Sequence, residues 1–545
     1  MTSDANSKSE HRPRFSPCFL PNIEEYIYFA VWLFHSVAAF VIAWNVSSKL
    51  SFWLEHWTVP NRFFPSLHRD YSDLEWSVHR TNVLRFVVIT FLQSALFHIL
   101  RRQIPNVFTV QVVMLVVWLL NSLFLTSLPC VVITAVLASV CVISTSVTKS
   151  QLPCWVLCLF FMNKASAYLY FSSTTERIYV EYNLYLYSAV KILNFCIHLT
   201  RNPNLQLDKA LLIRFLQYML YPPYLTLLIV LFDDFDAQMT AVEAKYGEPV
   251  DESKKKEIAL RFVRLLFWHI FYDLLLHFIH VNSLFSSSTM IVSGLSRYEL
   301  ASVAYVNGMF FFIKYVNIFG VPAWFASLDG LTPPAAPFCI SRISCYSQLW
   351  RNFDRGLYQF LKHQVYIPII GSPYSSWFGV RRFGAMVLAL LFVLLWHGPQ
   401  SNYLKWVILN GIELTLENIA SYIWKTSNWK NLREKIGVEN ERRLIAAVTV
   451  IVIVPGIFGV FFFLSREGNG DLVFDRIFTD GIKDIFSGNI RILDGVPTAG
   501  FVGVHLIILA YFFSNVCLYF DAKECKRNAV TDGKTTNIKE AAKSA

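Results

Sequence analysis

Three groups of residues in this 545-residue chain combine types and spacings that could do acid–base or ligand chemistry. The first is LLWHGP, Leu394 to Pro399, in which His397 ends an apolar run. An imidazole titrates near neutrality, and desolvation favours its neutral, proton-accepting form, so His397 is a candidate general base. A helix-end histidine satisfied by a carbonyl fits the spacing equally well. The second is Asp354 in WRNFDRGLYQF, flanked by Arg351 and Arg355; on spacing alone, a carboxylate paired with arginine at an interface is the simpler role. The third is FWHIFYDLLLHFIHVN, which sets His269, Asp273 and His277 on one helix face, with His280 just beyond. Two imidazoles and a carboxylate can ligate a metal, line a proton or cation path, or pack against polar helices, and one helix rarely supplies a whole coordination sphere.

The elements that must position these residues belong in lipid. Hydrophobic residues make up 54% of the chain and charged residues 16%, and mean hydropathy is +0.43, which excludes an ordinary water-soluble domain. Windows long enough to cross a bilayer fall near 26–45, 83–100, 107–127, 129–148, 151–171, 183–199, 210–232, 258–282, 298–320, 383–397, 403–423, 443–464 and 499–520. Some of them are expected to be re-entrant or interfacial. The expected fold is all-α and polytopic, with one membrane domain over 26–520 between tails at 1–25 and 521–545.

Lys8, Arg12 and Arg14 before the first window, and Lys523, Lys526 and Arg527 after the last, place both tails in the cytosol. The number of crossings is then even, and the basic stretch Lys425 to Arg443 is a second cytosolic marker. The polar start, with Pro13, Pro17 and Pro21, lacks the form of a cleavable signal peptide. The net charge of +10 lies in loops and tails facing anionic headgroups, and no basic stripe carries interleaved aromatics, so a nucleic-acid partner is not expected. Ten cysteines without a CxxC pair imply neither a disulfide framework nor a zinc site.

Two stretches are unlike lipid-facing helix. Residues 49–80 mix aromatics and charges as an interfacial segment does. Gly320 to Ser372 is rich in polar residues and proline, and such backbone survives at membrane depth only when buried in protein or lining a watery cavity. If Arg381 and Arg382 mark an interface, about 14 helical residues carry the chain only about 21 Å before Gly398 and Pro399 stop the helix. That leaves His397 inside the membrane, beside a break.

Taken together, the motifs resemble the Hedgehog acyltransferase branch of the membrane-bound O-acyltransferase family. The passages that carry the resemblance are LDGLTPP followed by Cys339, WRNFDRGLYQF, LLWHGP and VILNGIELTLEN, with DLEWS at Asp73 to Ser77. The resemblance implies the family's multi-span fold, with a core over about 210–480. It implies catalytic roles for His397 and Asp354, the aspartate standing where most of the wider family has asparagine. It also implies a haem iron ligated by Cys339. Trp350, Arg351, Trp396, Asn410, Asn418 and Asp475 become candidate substrate contacts; Asp475 stands where the branch tends to have asparagine.

The implied reaction is transfer of palmitate from palmitoyl-CoA to the N-terminal cysteine of a secreted protein, in the endoplasmic reticulum or Golgi membrane and among membrane lipids. A non-catalytic relative that regulates lipidation would be expected to lack His397, which this chain keeps. A serine or lipid hydroxyl acceptor is the alternative within the enzyme reading, and the aspartate at 354 weighs against it. A transporter using the His269 face would lead one to expect an inverted repeat, and the two halves show none.

Overall fold

A computed structural model describes residues 18–163, 168–245, 252–372 and 374–544, with backbone alone over 252–253 and 528–544. Lys8, Arg12 and Arg14 lie outside the described residues. The described chain is almost all helix: α1 (Asn22–Lys49), α2 (Leu74–Gln103), α3 (Val107–Leu125), α4 (Leu128–Thr148), α5 (Leu152–Asn163), α6 (Thr175–Arg201), α7 (Lys209–Leu220) and α8 (Phe232–Ala244). Then follow α9 (Glu252–Leu275), α10 (Arg297–Leu328), α11 (Tyr346–Asn352), α12 (Arg355–Phe360), α13 (Phe378–His397), α14 (Ser401–Ile423), α15 (Ser427–Gly459) and α16 (Ala499–Ser544), with shorter helical turns between.

Among the described residues, eight helices are long and apolar enough to cross a membrane: α1 to α4, α10, α13, α15 with the turn behind it, and the first part of α16. All of these except α10 expose large apolar side chains. On α14, Leu404, Ile408, Ile412, Leu416 and Ile419 are exposed, while Asn402, Asn410, Glu413 and Glu417 are buried. In water this arrangement would be inside out. In lipid the tails solvate the apolar face, and polar groups must find one another inside the protein.

The other windows differ from simple spans for visible reasons. Residues 183–199 belong to α6, buried without interruption from Asn183 to Ile197, so this helix is core, enclosed by the rest. α7 stops at Leu220 because Pro222 and Pro223 offer no N–H to continue it. Among its described residues, the 151–171 window holds one helix, the 12-residue α5. The early part of the proline-rich region is regular: α10 runs through Gly320 and Pro322 to Leu328, and irregular backbone begins after it.

The interfacial segment folds into a ribbon of β1 (Thr58–Pro60) and β2 (His68–Asp70), antiparallel with Thr58 opposite Asp70. Buried Asp70 fixes it to the protein by accepting from the Ser283 N–H at 2.8 Å and the Ser72 hydroxyl at 2.7 Å. The histidine-rich face meets this ribbon. His277 Nε2 lies 2.9 Å from Asn61 Nδ2, Asp273 pairs with Arg80 at 2.6 Å, and His269 packs on Trp76. Those groups dock a loop and do not converge on one point.

Candidate active site

α13 delivers His397 at its last residue. Gly398 follows at φ 96°, a left-handed conformation that glycine adopts without strain, and Pro399 cannot continue the helix. From Arg382 to His397 the rise is about 23 Å, short of a hydrocarbon core of about 30 Å. The imidazole is walled by rings: Phe463 at 4.8 Å edge-on, Trp406 at 5.9 Å and Tyr403 at 6.1 Å between centroids. Aromatic walls exclude water from a base while leaving its nitrogens for a reactant.

Asp354 is the N-cap of α12, accepting from the Leu357 N–H at 2.9 Å and from the Gly356 N–H. It is enclosed by protein yet keeps partial accessibility, as a group lining an internal cavity would. Of the two flanking arginines, Arg351 donates to the Ser347 carbonyl at 3.1 Å and its hydroxyl at 2.8 Å. The glycine two residues on is required by packing. A Cβ at Gly356 would stand 2.2 Å from the Ile229 carbonyl oxygen, so backbone itself would have to move. Gly356→Ala is expected to cost about 1–3 kcal/mol, seen as a lower thermal midpoint in detergent together with reduced activity from a displaced Asp354.

The two residues are linked through their neighbours. Tyr187 on α6 packs edge-on against Trp396 at 5.3 Å and lies within electrostatic reach of Asp354. Phe353, beside Asp354, stacks on Phe311 at 5.0 Å, and Phe311 meets Phe463, the ring that faces His397. Buried Asn410 closes the wall, taking hydrogen bonds from Trp350 Nε1 at 2.9 Å and the Tyr346 hydroxyl at 2.6 Å, while Trp350 stacks on Trp406. Trp350, Trp396 and Asn410 therefore gather with His397. Asn418 and Asp475 do not: Asn418 accepts from Arg382 at 2.7 Å at an exposed position, and Asp475 is exposed on a π-helical turn with Thr479.

A buried ion cluster supports the floor of the site. Lys314 on α10 is 5% exposed and donates to Asp73 at 2.7 Å and Glu75 at 2.8 Å. Glu75 also accepts from Tyr315 at 2.8 Å and lies within electrostatic reach of both Tyr187 and Tyr403. The DLEWS motif thus neutralises a lysine that an apolar helix could not hold alone. A lone lysine inside FFFIKYVNIF, read beside an acidic pair after the first span, is the signal that could have revealed it.

LDGLTPP anchors the start of the irregular segment. Asp329 accepts from Tyr221 at 2.6 Å and from Ser94, tying the end of α10 to α2 and α7. Near Cys339 stand Ser341 and Arg342, the latter clamped between Phe338 and Phe520. Arg342 Nε is buried with no partner among the described residues. A cysteine sulfur beside a cation with an unspent N–H is a donor set that a thiolate-bound iron, whose porphyrin carries acidic side chains, could use.

With this geometry described, the chain can be compared with known proteins. The family model for the membrane-bound O-acyltransferase family matches residues 141–455, more than half of the sequence. The chain belongs to the membrane-bound O-acyltransferase family. The match takes in both Asp354 and His397 and leaves DLEWS and Asp475 outside. Within the family, similarity falls on the Hedgehog acyltransferase branch. The chain is 27% identical to protein-cysteine N-palmitoyltransferase Rasp of Drosophila melanogaster over 60% of its own length and 63% of that protein. It is 33% identical to protein-cysteine N-palmitoyltransferase HHAT of Mus musculus, over 40% and 43% of the two chains. A mouse protein named protein-cysteine N-palmitoyltransferase HHAT-like protein is 28% identical over 32% of this chain and 33% of its own. The matched regions thus span less than two thirds of these relatives.

Proposed function

We propose that this protein transfers palmitate from palmitoyl-CoA to the N-terminal cysteine of secreted proteins, within the endoplasmic reticulum or Golgi membrane. What supports this reading is His397 at the end of an apolar helix and Asp354 on a capped turn, with Tyr187 packed on the Trp396 ring next to the histidine. The names of the fly and mouse relatives supply the substrate class.

The donor's acyl chain gains about 0.8 kcal/mol per buried methylene, so it belongs among the apolar spans. Its coenzyme head is made in the cytosol and the acceptor arrives in the lumen, which requires a passage between the two faces. His397 takes a proton from the incoming amine or thiol as that atom attacks the thioester carbonyl. The carbon–sulfur bond breaks, and the coenzyme thiolate leaves and recovers the proton. Asp354 orients the histidine or holds the acceptor ammonium, and Trp350, Trp396 and Asn410 wall the thioester. Arg351, Asn418 and Asp475 stand outside this wall and would touch only the outer parts of donor or acceptor.

Cys339 is the proposed haem ligand, with Ser341 and Arg342 beside it. Haem bound there supplies a strong bond pinning the irregular segment, and the transfer itself runs through side chains alone. Cys339→Ser is expected to remove the Soret absorption band of the purified protein; a full-strength band in that variant would refute the assignment.

The function is tested by incubating detergent-purified protein with labelled palmitoyl-CoA and peptides that begin with cysteine, N-acetylated cysteine or serine. Stable incorporation into the free-cysteine peptide alone is expected. Equal labelling of the serine peptide, or none of any peptide, would count against the acceptor assigned here.

A further inference from the structure

Four thiols that the transfer does not use meet inside the N-terminal group of helices. Cys154 and Cys158 stand four residues apart on α5 and so share a face, Cys141 comes from α4 and Cys196 from α6. All four are completely buried, and none is in a disulfide. The sulfur of Cys158 is 3.9 Å from that of Cys141 and 3.9 Å from that of Cys154, and these three sulfurs all lie within 4.8 Å of one another. Cys196 lies near Cys154, outside this group of three.

These separations are nearly twice the roughly 2.05 Å of a disulfide. Four sulfurs held tetrahedrally at about 2.3 Å from a zinc ion lie about 3.8 Å apart, and three around a trigonal ion at the same bond length lie about 4.0 Å apart. Thiolates are soft donors, which select zinc and copper(I) over the hard cations. We propose that Cys141, Cys154 and Cys158 bind one soft cation, zinc or copper(I), stapling α4 to α5.

Scattered burial of single cysteines is ordinary packing. Here two helices bring three sulfurs within 4.8 Å of one another, a cluster of their own. A coordinating thiol gives up its proton, so three thiolates leave one net negative charge around zinc and two around copper(I), and zinc is the ion that an apolar interior tolerates better. The staple has a mechanical use, because the 12-residue α5 is too short to be held by a bilayer on its own and packs directly against α6.

The test uses the full chain purified in detergent, washed with a chelator, with zinc, copper and iron measured separately so that iron at Cys339 is not counted. About one zinc or copper per chain is expected, falling at least about tenfold in Cys154→Ser/Cys158→Ser, as loss of two ligands requires. X-ray absorption of the wild-type metal should show a shell of sulfur near 2.3 Å, which decides the matter even if the double variant fails to fold. Metal below about a tenth of one per chain, a shell of nitrogen and oxygen only, or full metal in the double variant would overturn the proposal.

Discussion

His397→Ala is expected to slow palmitoyl transfer by about 10²–10⁴-fold, the contribution usual for a positioned general base, while elution on gel filtration and thermal midpoint stay close to wild type. The structure explains why folding should survive. The imidazole is held by ring contacts at the end of α13 and, among the described residues, carries no network of hydrogen bonds whose loss would orphan buried partners. Alanine keeps the helix to its last residue, and Gly398 still supplies the left-handed turn. His397→Gln, which keeps volume and polarity without basicity near neutrality, should be as slow as alanine. Near-wild-type transfer by either variant would remove His397 from the chemistry.

Lys314→Met should be the most destabilising single change, by about 3–5 kcal/mol, because it leaves Asp73 and Glu75 as buried carboxylates without their cation. The measured outcome would be loss of folded protein after extraction, at any substrate concentration. Adding Asp73→Asn and Glu75→Gln should recover a large part of the folded yield, since the triple variant has no uncompensated charge. If Lys314→Met folds as well as wild type, the ion cluster does not support the floor of the site.

His397 and Asp354 were visible as an imidazole before a glycine–proline stop and a carboxylate in a polar, aromatic segment, and in the structure they stand at the end of α13 and at the cap of α12. Asn418 shows how motif adjacency misleads. It follows Glu417 by one residue, a step of about 100° around a helix, so Glu417 faces inward while Asn418 meets Arg382 at the surface. α6 was hidden for another reason: hydropathy cannot distinguish a helix surrounded by lipid from one surrounded by protein, and only the buried Glu181 and Lys191 hint at the difference. The cysteine cluster was equally hidden, because spacing along the chain says nothing about sulfurs that meet across two helices.

The most direct measurement is single-turnover transfer of labelled palmitate from palmitoyl-CoA to an N-terminal-cysteine peptide by wild type, His397→Ala, Asp354→Asn and the double variant. Residues acting as one unit give non-additive losses, so the double variant should be no slower than the slower single variant. Losses that multiply, or an Asp354→Asn protein that transfers at the wild-type rate, would contradict a shared site built from these two residues.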